Sequence, residues 1–241
     1  MPRLLNLPAA EPATETSQRL RPLVGKPAGS LAIHEIYRSL QGESVYTGLP
    51  CIFIRLTACH LRCSYCDSPH AFTQGRFVGI DDVVEQVVAL GDPLVEVTGG
   101  EPLLQPEVFP LMTRLADLGR TVLLETSGAI DIGPVDPRVH VILDVKTPGS
   151  GEHAANLDAN LDRLKPTDEV KYVVCSRDDF DWSIAHLRRH GLAGRVAILI
   201  SPSFGQVDPT ELAEWILETR LPIRLQLQLH KQLWHPKARG V

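Results

Sequence analysis

Two hydrophobic patterns alternate along this chain. One is a short apolar or β-branched run of five to seven residues, recurring at 31–37, 51–57, 94–98, 121–125, 140–145, 170–174, 196–200 and 223–229. Runs of this length and composition predict strands. The other is the helical repeat. Ile80, Val83, Val84, Val87 and Val88 fall at i, i+3, i+4, i+7 and i+8 and define one apolar stripe, and Leu111, Leu115 and Leu118 define another. A further helix announces its own start, with Asp208 at the N-cap, Pro209 at the first helical position and Glu211 at the third, followed by Leu212, Trp215 and Ile216. Alternation over about 200 residues, with no internal repeat, predicts an α/β fold whose sheet is mostly parallel and whose helices lie outside it. A closed eightfold barrel takes about 250 residues. The chain is shorter than that past its first 30 residues, so a partial (β/α) barrel fits better.

Residues 1–30 break the pattern. Pro2, Pro8, Pro12, Pro22 and Pro27 interrupt them, and Arg3, Glu11, Glu15, Arg19 and Arg21 leave no continuous apolar block for a signal peptide. They read as a Pro-rich, loosely ordered extension preceding a single domain over 31–241. No run approaches the roughly 18 apolar residues of a membrane span. An apolar content of 44% with 22% charged residues excludes wholesale disorder. The formal net charge of −5 speaks against direct nucleic-acid binding. Five cysteines in 241 residues are too few for a disulfide scaffold and suit a reducing, cytoplasmic location.

Three of the five cysteines form the pattern Cys59-x3-Cys63-x2-Cys66, directly after the second predicted strand. Three thiolates on one loop can converge on one centre. On a four-iron cluster they leave one iron without a protein ligand, and that iron is open to a small molecule. Zinc is the alternative, with His60 or His70 as fourth ligand. Cys51 and Cys175 lie in predicted strands and read as small buried packing residues. In a parallel α/β fold the chemistry sits at the C-terminal strand ends, and four of these carry polar residues. Thr98-Gly99-Gly100-Glu101-Pro102 places two glycines where a ligand can approach the backbone, beside a carboxylate that can accept from an ammonium. Glu125-Thr126-Ser127, Asp144-Val145-Lys146 and Ser201-Pro202-Ser203-Phe204 end later strands, and each also reads as a capped turn.

The C-x3-C-x2-C spacing, with Tyr65 before the last cysteine, together with the GGEP motif, resembles the radical S-adenosylmethionine superfamily. The resemblance implies a partial or modified (β/α) barrel, a [4Fe-4S] cluster on Cys59, Cys63 and Cys66, and S-adenosylmethionine bound at the open iron. It assigns the cofactor pocket to Tyr65, Cys66, Asp67, Gly100, Glu101, Ser127, Asp144, Val145, Lys146, Ser201, Pro202, Ser203 and Phe204.

The flanking segments narrow the resemblance. Ser39-Leu40-Gln41-Gly42-Glu43 precedes the cysteines, Phe53-Ile54-Arg55 leads into them, Cys66-Asp67-Ser68 closes them, and Gln226-Leu-Gln228-Leu-His230-Lys231 lies near the C-terminus. In this order they resemble the 7-carboxy-7-deazaguanine synthase family over residues 31–241. That implies ring contraction of 6-carboxy-5,6,7,8-tetrahydropterin to 7-carboxy-7-deazaguanine with loss of ammonia, in queuosine and other 7-deazapurine biosynthesis. It also implies a homodimer, a flavodoxin or ferredoxin reductant, and Mg2+ held by the hydroxyl at position 68, here Ser68 in place of the more usual Thr. The substrate contacts carried over are Leu40, Gln41, Gly42, Arg55 and Thr98. Gln41 offers paired donor and acceptor atoms to a pterin amide edge, Arg55 offers a planar fork to a carboxylate, and Glu43 and His230 are candidates for proton transfer. Two other readings share the cysteine motif: a glycyl-radical activase, and a non-catalytic iron–sulfur or zinc module.

Overall fold

The computed structural model of the chain describes residues 14–236 and 238–241. Its centre is one nine-stranded sheet. The strands are β1 (Ser30–Leu40), β2 (Pro50–Leu56), β3 (Arg76–Gly79), β4 (Leu94–Gly99), β5 (Thr121–Thr126), β6 (His140–Val145), β7 (Glu169–Val174), β8 (Ala197–Pro202) and β9 (Ile223–Leu225). Their order is β3-β1-β2-β4-β5-β6-β7-β8-β9. β1 runs antiparallel to both β2 and β3, and all the pairs from β2 to β9 are parallel. β3 and β9 form the two free edges, so the sheet is an open barrel.

Among the described residues six α-helices accompany the sheet: α1 (Glu15–Arg19), α2 (Ile80–Leu90), α3 (Val108–Asp117), α4 (Arg177–Arg189), α5 (Pro209–Thr219) and α6 (Leu229–Leu233). The start signal at Asp208 is realised, its carboxylate accepting from the backbone N–H of Thr210 (2.8 Å) and Glu211 (3.4 Å). The apolar stripes are one residue narrower than their pattern, since Val88 and Leu118 lie exposed at the ends of α2 and α3. The main core fills the space between α2, α3, α4 and α5 and the outer face of the sheet. No helix among the described residues is long and apolar enough to cross a membrane.

Three sequence expectations change. The run at 223–229 stops as a strand at Leu225, because Gln226 turns away to bond Thr47 and Gln228 to bond Asp67. Of the extension expected over 1–30, residues 1–13 lie outside the described residues. Residues 14–29 carry α1 and a 3-10 turn, and Arg19 donates to the carbonyl oxygen of His60 at 2.6 Å. Cys175 sits one residue beyond β7 and is only half-buried, whereas Cys51 is fully buried in β2.

Candidate active site

The pleat sorts each parallel strand into two sets of side chains. Ile52, Ile54, Val95, Val97, Val122, Leu124, Val141 and Leu143 face the helices. Their alternates face inward in two layers. Cys51, Phe53, Leu94, Leu123 and Ile142 form an apolar floor. Nearer the C-terminal strand ends, Arg55, Glu96, Thr98, Glu125, Asp144 and Lys171 line a cleft of about 250 Å³.

The loop after β2 brings Cys59, Cys63 and Cys66 to the wall of this cleft. It is anchored by Ser64 N–H to the Ser150 carbonyl (2.9 Å), Ser64 Oγ to the Gly149 carbonyl (2.8 Å) and Arg62 N–H to Glu152 (2.5 Å). Burial pushes the Cys59 thiol up to about 12 and the Cys63 thiol to about 11. These groups therefore stay protonated unless a metal replaces the proton. Among the described residues, two groups bring three ligand atoms within 4.8 Å of one another, His34–Glu35–His70 and Asp158–His186–His190, and the cysteine trio is not such a group. A single tetrahedral zinc with Zn–S bonds near 2.3 Å needs sulfurs about 3.8 Å apart. Three cysteine thiols from one loop on the cleft wall are the donor type that holds an iron–sulfur cluster. Of the two histidines considered as a fourth zinc ligand, His60 is not on the cleft wall, whereas His70 is, with its ring packed against His34 at 4.9 Å.

The end of β4 locks onto this loop. Gly100 N–H donates to the Leu56 carbonyl (3.0 Å) and Glu101 N–H to the Ala58 carbonyl (2.8 Å). A Cβ on Gly100 would stand 2.0 Å from the Ala58 oxygen, and one on Gly99, whose φ is +146°, 2.3 Å from the Leu56 oxygen. Close approach of protein backbone thus demands both glycines. Glu101 is fully buried under the cleft. Its carboxylate accepts from Thr126 Oγ1 (2.8 Å), Leu103 N–H (3.1 Å), and both N–H (2.8 Å) and Oγ (2.5 Å) of Ser127. The acceptor expected for a ligand ammonium is committed to positioning Ser127, which does line the cleft.

On the inner layer, Arg55 donates to Glu35 (3.0 Å), Ser68 Oγ (3.2 Å) and Tyr37 (3.0 Å), so its guanidinium plane is fixed. Lys171 is buried among Glu43 (2.6 Å), Glu125 and Asp144 (3.5 Å). Burial pushes the Glu43 carboxyl up, but the Lys171 ammonium and the Gln228 amide outweigh it and hold it below its usual range. Glu96 has no such cation in contact. Burial and the neighbouring Glu125 charge raise it to about 8, so it is a neutral acid at pH 7. The Gln41 amide bonds it through Nε2 and accepts from Glu43 N–H through Oε1 (2.9 Å).

The segment after β9 closes the far side. Gly42 has no Cβ to exclude His230, whose Nδ1 lies 2.9 Å from where that atom would be, and Leu229 N–H bonds the Gly42 carbonyl (3.0 Å). Burial lowers His230, favouring its neutral form. Lys231 (2.6 Å) and Gln228 (2.5 Å) grip the carboxylate of Asp67 in the cysteine loop.

Most expected site residues meet in this one cleft: Leu40, Gln41, Gly42, Glu43, Arg55, Cys59, Cys63, Tyr65, Cys66, Asp67, Ser68, Thr98, Gly100, Ser127, Asp144, Lys146, Ser203, Phe204 and His230. Val145, Ser201 and Pro202 do not form its walls. Val145 alternates with Asp144 onto the helix-facing side, Pro202 shares the outer parity of Ile198 and Ile200, and Ser201 is sealed at 1% exposure. Sequence reading missed Glu35, Tyr37, Glu96 and Lys171. For Glu96 and Lys171 the signal was present: a charge inside a central parallel strand needs a cleft or a buried partner.

Comparisons with known proteins bear on the family and the fold. The profile of the radical SAM superfamily matches residues 53–201. The 7-carboxy-7-deazaguanine synthase of Chlorobaculum tepidum is 48% identical over 215 residues, covering 88% of this chain and 97% of that protein. The enzyme of the same name from Koribacter versatilis is 47% identical over 226 residues, covering 88% of this chain and 100% of that protein. The crystal structure of QueE from Escherichia coli superposes with a TM-score of 0.69 at 24% identity, covering 87% of this chain and 99% of that one, and supports the fold.

Proposed function

The chain belongs to the radical SAM superfamily and, within it, to the 7-carboxy-7-deazaguanine synthase family, and from that premise we propose how its cleft divides the work. It is a lyase that contracts 6-carboxy-5,6,7,8-tetrahydropterin to 7-carboxy-7-deazaguanine with release of ammonia, in 7-deazapurine biosynthesis. When bound, the [4Fe-4S] cluster and S-adenosylmethionine supply a carbon-centred radical that removes one substrate hydrogen.

The residues of this chain bind, orient and move protons. Cys59, Cys63 and Cys66 hold the cluster. Tyr65, Asp67, Gly100, Ser127, Asp144, Lys146, Ser203 and Phe204 wall the cofactor pocket, with Glu101 positioning Ser127 from beneath. Arg55 takes the substrate carboxylate, its fork already planar and anchored. Gln41 reads the pterin amide edge in the one orientation that neutral Glu96 and the Glu43 N–H allow, while Leu40, Gly42 and Thr98 complete the pocket. His230, held neutral, can accept a proton that ring rearrangement and ammonia loss require, whereas Glu43, held ionised below its usual range by Lys171, is the weaker base of the two.

Ser68 is the Mg2+ ligand in this reading. It offers one hydroxyl oxygen beside the Arg55 cation, so Mg2+ binding there depends on substrate oxygens as well. The chain works as a homodimer in the cytoplasm and takes its electron from a flavodoxin or ferredoxin. Reduced thiols and a one-electron demand support the last two points.

A single observation carries the assignment: Arg55 Nη1 lies 3.2 Å from Ser68 Oγ, joining the carboxylate-binding fork to the cysteine loop in one cleft. An activase or a non-catalytic module has no use for that pairing. Anaerobic incubation of the reconstituted protein with carboxytetrahydropterin, S-adenosylmethionine, Mg2+ and reductant tests it, with product identified by mass and ultraviolet spectrum. Cofactor cleavage without the deazaguanine would refute the substrate, and one zinc with no sulfide would refute the cluster. Alanine at Cys59, Cys63 or Cys66 abolishes iron binding and turnover together, whereas Cys175→Ala preserves both.

A further inference from the structure

On the outer layer, away from the cleft, α4 and its C-cap residue place His186 and His190 four residues apart, with ring centroids 4.6 Å from each other. A 3-10 segment, Asp158–Arg163, crosses that face. The Asp158 carboxylate points Oδ1 at His186 Nε2 (3.6 Å) and Oδ2 at His190 Nε2 (3.5 Å). All three ligand atoms lie within 4.8 Å of one another.

The rings are built in. The His186 side chain is 4% exposed, its Nδ1 sits 2.9 Å from the buried Tyr172 hydroxyl, and its plane stacks on Trp182 with centroids 4.9 Å apart. That leaves Nε2 as the free corner, and neither it nor His190 Nε2 has a hydrogen-bond partner. Buried imidazole nitrogens without partners cost stability and call for a reason. The carboxylate is too distant for good hydrogen bonds. The spacing instead approaches that of donors sharing one ion. Metal–donor bonds near 2.0–2.1 Å at a tetrahedral angle put neighbouring donors about 3.3–3.4 Å apart.

We propose that His186, His190 and Asp158 bind a divalent transition metal of zinc type, separate from the iron–sulfur cluster. Two imidazoles and one carboxylate suit Zn2+, whereas Mg2+ and Ca2+ require mostly oxygen ligands. Water completes the fourth position. The Tyr172 hydroxyl accepts from Nδ1–H of His186 and so directs the lone pair of Nε2 toward the ion, as outer-shell partners do. The ion staples the connection between β6 and β7 to α4. That connection supports the cofactor side of the cleft from behind. Asn156 bonds both N–H (2.9 Å) and C=O (2.8 Å) of Lys146, and Asn160 donates to the carbonyl of Gly128 (3.0 Å), next to Ser127.

The test uses the anaerobically reconstituted full chain, so that iron occupies the three cluster thiols, equilibrated against buffered free Zn2+. Metal analysis is expected to find one zinc per chain beyond the iron complement. His190→Ala and Asp158→Asn, both at the solvent side of the site, each weaken zinc uptake at least about 100-fold and leave iron and sulfide content unchanged. At 100 times its dissociation constant, zinc raises the Tm of the parent protein by about 5–10 °C and leaves both variants unmoved. Absence of excess zinc in the parent overturns the proposal, and so does equal uptake by parent and both variants.

Discussion

Replacing Gly100 with Ala separates two reasons for the glycine pair: room for a ligand, or room for the cysteine loop. The added Cβ would stand 2.0 Å from the Ala58 oxygen, 2.5 Å from the Ala58 carbonyl carbon and 3.0 Å from Cys59 Cβ. Two of these atoms are backbone and cannot swing aside, so the loop must retreat by at least about 1 Å. Retreat loosens the bonds from Gly100 N–H to Leu56 and from Glu101 N–H to Ala58, worth about 1 kcal/mol each. Overpacking adds roughly 1–3 kcal/mol. The total, about 3–5 kcal/mol, lowers Tm by on the order of 10 °C. Cys59 follows Ala58 in the chain and moves with it. Anaerobic reconstitution of Gly100→Ala therefore yields substoichiometric iron and sulfide, read by metal analysis beside a thermal scan. A variant with full iron and sulfide, unchanged Tm and only weaker S-adenosylmethionine binding would refute the packing argument.

Glu96→Gln flattens the pH dependence of stability. The native carboxyl titrates near 8 against an ordinary 4.5, so its contribution is fully present below about 4.5 and is lost as pH rises through about 8. Tm measured from pH 5 to 9 falls for the parent relative to the variant, and parallel curves would contradict this. Arg55→Lys keeps the charge but loses the fork that reaches Glu35, Ser68 and Tyr37. Loss of two charge-assisted bonds lowers kcat/KM by about 10²–10⁴, with iron content intact, and full turnover would remove Arg55 from the substrate site. Lys231→Met leaves Asp67 tied to the closing segment by Gln228 alone. KM for the pterin rises about tenfold, one charge-assisted bond, while the cluster assembles normally; an unchanged KM would show that this clamp does not shape the pocket.

Residues that act together as near neighbours along the chain are legible in the sequence. The cysteine trio, GGEP and the flanks SLQGE and QLHK are short and contiguous, and their spacing alone limits what they can do. Seven of the eight apolar runs are equally plain, because the positions of each strand that face the helices must be apolar, whereas the eighth, 223–229, ends as a strand at Leu225. Edge strand β3 is not legible: Arg76–Gly79 has no strong pattern and is held as a strand by its pairing with β1. Nor is the role of Glu101, whose partners Thr126 and Ser127 lie 25 and 26 residues away. Spacing likewise says nothing of how Lys171 is shared among Glu43, Glu125 and Asp144, which arrive from three other parts of the chain.

The reaction class is written in the chain itself, because a three-cysteine loop at a strand end constrains local geometry through covalent spacing. Which charges survive in the cleft is set only by contacts between distant segments. Glu43 is held below the usual carboxyl range and Glu96 above it, though both are buried, because the Lys171 ammonium touches Glu43, whereas Glu96 meets burial and the charges of Glu125 and Glu43, which outweigh the Gln41 amide and the more distant Lys171. Protonation depends on distances across the sheet, and those exist only once the strands are paired.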